Sequence, residues 1–123
     1  MFPILQVALG GALGAVLRYG MVTGVARLLG TGFPLGTVAV NITGSFLMGV
    51  LMAWFAARAS AVWAVPLLTA GLLGGFTTFS AFSLETVALC EQGRWLAASV
   101  YVVVSVAGSV VALAGGLTLM RGV

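Results

Sequence analysis

The sequence predicts an all-α membrane protein of four transmembrane helices with the third broken near its middle, and three observations carry that prediction. Hydrophobic residues fill 62% of the 123 positions and charged residues only 6%, a balance that no soluble core of this size could hide from water. The apolar residues fall into four stretches, about 4–29, 35–57, 62–90 and 95–120, each exceeding the roughly 20 residues that cross hydrocarbon. Within the third stretch, Gly74-Gly75-Phe76-Thr77-Thr78-Phe79-Ser80-Ala81-Phe82 sets paired glycines before a run of hydroxyls and rings that a plain lipid-crossing helix does not need. The connecting segments 30–33, 58–61 and 91–94 are too short for a second domain, so residues 1–123 form one domain in lipid.

The first stretch reads as a span and not as a cleaved signal peptide, because it lacks a basic start, outruns an h-region and contains Arg18. An intramembrane Arg either snorkels to the interface or neutralises something buried, and the position of Arg18 favours snorkelling. If it faces a vestibule instead, its field gathers anions. Glycines at four-residue spacing (Gly10 with Gly14, Gly20 with Gly24, Gly71 with Gly75) let helix backbones approach in lipid.

On the second stretch Thr37, Asn41 and Ser45 recur one turn apart and share a face. An amide in hydrocarbon needs a partner in the bundle or a wet path; for a lone Asn an interhelical hydrogen bond suffices. Asn41 is not alone, since the fourth stretch carries Tyr101, Ser105 and Ser109 at successive four-residue steps. A single serine there bonds back to its own helix. Three aligned hydroxyls together with Asn41 point to a hydrophilic track.

In the third stretch Pro66 suits a helix start, and Gly74-Gly75 loosens the turn where the apolar run ends. Carbonyls freed by such a break are satisfied by neighbours, water or a cation. Phe79 and Phe82, three residues apart, share a face if the chain is helical there. Core packing accounts for most Phe pairs, yet ring edges are positive and can approach an anion. Glu85 lies about a turn further on, read here as near the rim and answering an arginine across the bundle.

Cys90 is the single cysteine, there is no His and both acidic residues are Glu, which removes most of the material for metal clusters and acid–base catalysis. An enzyme is not expected. The five arginines are too scattered for a nucleic-acid surface. With the N-terminus inside, Arg58 and Arg121 mark the inner ends and Arg27 and Arg94 the outer ones. That balance leaves orientation undecided by charge: either the chain inserts both ways up and pairs as an antiparallel dimer, or Arg18 or a partner protein supplies the signal.

Over essentially its whole length the chain resembles the small bacterial fluoride channels known as Fluc or CrcB. The most specific part is Gly74-Gly75-Phe76-Thr77-Thr78-Phe79-Ser80-Ala81-Phe82-Ser83, close to the family pattern Gly-Gly-x-Thr-Thr-Phe-Ser-Thr-Phe-Ser, with Ala81 replacing the frequent Thr. The resemblance implies an antiparallel dual-topology homodimer in the bacterial plasma (inner) membrane, exporting fluoride passively through two pores lined by both subunits. It implies a pore-lining Asn41 that donates to the ion, and an aromatic box of Phe79 and Phe82. Tyr101, Ser105 and Ser109 become route-lining hydroxyls, with Thr37 in the same region and Arg18 near the vestibule. Gly74 and Thr77 would give backbone carbonyls from both subunits to a structural sodium ion at the dimer interface. The rival expectations are a small multidrug-resistance-type proton-coupled antiporter and a non-conducting assembly factor. The antiporter needs a buried carboxylate, and the first span has none.

Overall fold

The computed structural model describes residues 2–122, and among them every regular element is helical, with no strand. Helix α1 (Pro3–Leu29) opens on a proline at its first position, where the missing N–H costs no bond. It closes at Gly30, whose amide still bonds the Ala26 carbonyl at 2.9 Å and whose φ of 84° turns the chain out of the helix. Helix α2 (Leu35–Ala57) follows, then a 3-10 segment Ala59–Ala64 occupying what the sequence presents as the start of the third span. The third span runs Pro66–Glu91 and the fourth, α5, Trp95–Arg121. All four helical spans are long and apolar enough to cross a membrane.

The third span departs from a single α-helix at two places. Its first half, taken together as α3, is a π-helical stretch Pro66–Leu73 running into one α-turn Gly74–Phe76. Its second half, α4, is Ser80–Glu91. The break therefore falls at residues 77–79 and not at the paired glycines, since Gly74 keeps helical angles (φ −61°, ψ −40°) while Thr77 is extended (φ −87°, ψ 160°).

Packing divides into two close pairs, α1 with α3 and α2 with α5, while α4 leans on α5. Both pairs bring backbones into contact. A Cβ on Gly10 or Gly14 would collide with carbonyls of Leu67 or Leu72, and one on Gly49 or Gly116 with carbonyls of Leu113 or Phe46. Small residues at these four places are what the approach requires. Gly20 and Gly24, by contrast, meet nothing within 4 Å, so their matching spacing is not used inside this chain. The apolar core is small, centred on Val38, Leu89, Ala98 and Tyr101. Large apolar side chains such as Ile4, Leu28 and Leu96 are at least 80% exposed, as expected where lipid replaces water.

Candidate functional site

The functional geometry is built around the open backbone at 77–79. Asn41 on α2 clamps it: its Nδ2 donates to the Thr78 carbonyl at 2.9 Å, and its Oδ1 accepts the Thr78 amide at 2.7 Å. Two side-chain bonds thus replace helical ones in a medium that offers none. A primary amide has two N–H donors, so one remains for other use. The hydroxyl of Thr77 donates to Leu73 O at 2.9 Å and that of Thr78 accepts the Ala81 amide at 3.1 Å, capping α4.

Beside this clamp lies a cavity of about 390 Å³, lined among others by Asn41, Thr77, Phe79, Phe82, Ser105 and Ser109. Six of the residues singled out in the sequence therefore meet at one place, although they come from three spans. Ser105 is 5% exposed and its Oγ has no hydrogen-bond partner. A buried hydroxyl without a partner on a cavity wall is available to a ligand or water. The Phe79 and Phe82 ring centroids stand 5.5 Å apart at 52°. Phe79 is 77% exposed on its own chain.

The aromatic row continues out of the cavity. Phe82 lies 5.3 Å from the Tyr101 ring, and Tyr101 meets Phe33 edge-on at 5.6 Å. Tyr101 and Thr37 do not line the cavity; both are buried beyond Phe82, where they meet Glu85. Thr37 Oγ1 donates to Glu85 Oε1 at 2.6 Å, and the Tyr101 hydroxyl lies 3.5 Å from the same oxygen. This corrects the expected role of Glu85: its partners are hydroxyls, not an arginine at the rim. The missed signal was positional, since Thr37 and Glu85 are 48 residues apart and only the fold pairs them.

Arg18 is also corrected. It does not snorkel, because its Nε donates at 3.0 Å to the carbonyl of Gly75, in the last turn before the break. Gly74 is exposed next to it and does not line the cavity. The carbonyls of Gly74 and Thr77 share one property. Each would bond the amide four residues on in a continuous helix, yet the Thr78 amide goes to Asn41 and the Ala81 amide to the Thr78 hydroxyl.

Four spans, one of them interrupted beside a largely apolar cavity into which a few polar side chains and two aromatic rings project, define a small multi-pass membrane protein. The model of the family described as CrcB-like protein, Camphor Resistance (CrcB), matches residues 5–117, and the chain belongs to that family. A protein of Chelativorans sp. named fluoride-specific ion channel FluC is 52% identical over 124 residues, covering 100% of this chain and 99% of that one. Relatives with the same name from Cereibacter sphaeroides and Paracoccus denitrificans are 51% and 53% identical, over 97% and 96% of this chain and 94% of each of theirs.

Proposed function

We propose that the protein is a fluoride-selective passive channel of the bacterial inner membrane, working as an antiparallel dual-topology homodimer with two pores. The observation that carries this reading is the shared cavity wall of Asn41, Phe79, Phe82, Ser105 and Ser109 at the break of the third span; the name carried by relatives at about half identity over their full length supports it. Fluoride is small and strongly hydrated, so a pore must replace water with close donors. The second N–H of Asn41 and the hydroxyls of Ser105 and Ser109 are such donors. The edges of Phe79 and Phe82 add positive surface without a full charge that would trap the ion. The N-terminus of α4 lies at the break and contributes its positive dipole end. Chloride, larger and more weakly hydrated, gains less from these contacts.

The exposed Phe79 ring and the exposed Gly74 fit a second subunit that covers this face. The freed carbonyls of Gly74 and Thr77 fit a hard monovalent cation, since neutral oxygens suit sodium-like ions. Bound there at the subunit interface, a sodium ion would supply charge to hold the two broken spans together. Fluoride enters cells as the neutral acid and ionises inside, so a passive pore empties the trapped anion down its gradient. Glu85, a carboxylate at membrane depth, is the one observation favouring a proton-coupled antiporter instead. Liposomes loaded with fluoride decide between them. Release on adding a potassium ionophore, at equal pH on both sides, is expected of the channel; release only when a proton gradient is imposed would replace it with the antiporter.

A further inference from the structure

The break removes several helical bonds at once, and the replacements are selective. The Thr78 carbonyl is taken by Asn41 Nδ2 and the Gly75 carbonyl by Arg18 Nε, at 2.9 and 3.0 Å. In a continuous helix Gly75 O would receive the amide of Phe79. That rung is the one that would hold Phe79 inside the helix. We propose that Arg18 is a positioning residue for the break: by occupying the Gly75 carbonyl it keeps Phe79 out of α3, at the start of α4, with its ring on the cavity wall.

The geometry makes each group the answer to the other. A carbonyl at membrane depth has no water to fall back on, and a guanidinium at that depth needs an acceptor. The approach is fixed by the backbone of α1, since a Cβ on Gly75 would lie 2.6 Å from Gly11 O and 3.2 Å from Ala15 N. Arg18, three residues past Ala15, leaves α1 on the same side. Its Nε–H points in a direction set by the planar guanidinium, so the bond locates the carbonyl and does more than neutralise it. Arg18 takes one carbonyl of the break and not its neighbours. It closes Gly75, whereas the carbonyls of Gly74, Phe76 and Thr77 lose their helical amides without a side-chain donor in their place.

The flux arm of the test rests on the fluoride-channel reading; the exchange arm does not. Full-length protein in liposomes is compared with Arg18→Met, which keeps the chain length without a donor, and Arg18→Lys, which keeps one. Arg18→Met should slow fluoride efflux about tenfold, the order expected for one lost charge-assisted hydrogen bond, at low and at saturating fluoride alike. Amide exchange should change at 77–79 and stay native in α2 and α5, and Arg18→Lys should recover part of both. A loss that vanishes at saturating fluoride or high salt, with native exchange at 77–79, would mean that Arg18 acts only through its field at the mouth. Native flux in Arg18→Met, or exchange that rises evenly across all spans, would equally overturn the proposal. Absence of fluoride flux from the unmodified protein would remove the channel reading and leave the exchange comparison to decide the role of Arg18.

Discussion

Helices α2 and α5 pack backbone to backbone along unbroken ladders, with Gly49 set against Leu113 and Gly116 against Phe46. The third span does the opposite. It is open at 77–79, and its loose groups are held by Asn41 from α2 and Arg18 from α1. Both regions belong to apolar spans, an environment that cannot solvate the backbone. One answers by keeping its backbone ladder continuous; the other uses long-range side chains to hold an opening. In the proposed channel the opening is where the ion passes, and residues of the close-packed pair form the wall of the cavity beside it.

That contrast can be broken at either side. The largest effect is expected from Gly49→Val, whose branched side chain has no room beside Leu113 and Leu117. Overpacking of this kind costs on the order of 3 kcal/mol, and loss of folded protein on detergent extraction is the measurement. Asn41→Ala should be comparable, because it strands both backbone groups of Thr78 at about 1–3 kcal/mol each; extraction is weakened and fluoride efflux lost. Asn41→Asp, which can accept the Thr78 amide but cannot donate to its carbonyl, should rescue folding more than flux. Phe79→Ile and Phe82→Ile should leave folding intact while cutting efflux, since the ring edge and not the packing volume is removed. Smallest is Thr37→Val, which removes one donor to Glu85 and about 1 kcal/mol of stability, read as a small drop in thermal midpoint. Native efflux in both Phe variants would separate the opening from conduction.

The two regions were not equally legible in the sequence. Hydropathy and length place the four spans to within a few residues, missing only the 3-10 segment Ala59–Ala64, whose apolar composition resembles span residues. The polar run from Thr77 to Ser80 marks the interruption, but Gly74 and Gly75 draw the eye to a point too early. In the packed end of α3 glycine serves close approach to Gly11 and Ala15 while remaining helical. Four-residue spacing puts Asn41 with Ser45 on one face of α2 and Ser105 with Ser109 on one face of α5, and these four line one cavity, whereas Thr37 and Tyr101 at the ends of the same stripes do not. The partners of Arg18 and Glu85 could not be read, because they lie 57 and 48 residues away along the chain. A charge in a span announces that it needs a partner; only the fold says which.

In the proposed channel, the opening in the third span conducts fluoride and rejects its larger relative. The most direct test records fluoride and chloride together as they leave the same liposomes once an ionophore balances charge. Rapid release of fluoride with chloride retained is expected; equal release of both, or retention of both by correctly folded protein, would overturn the fluoride-channel reading.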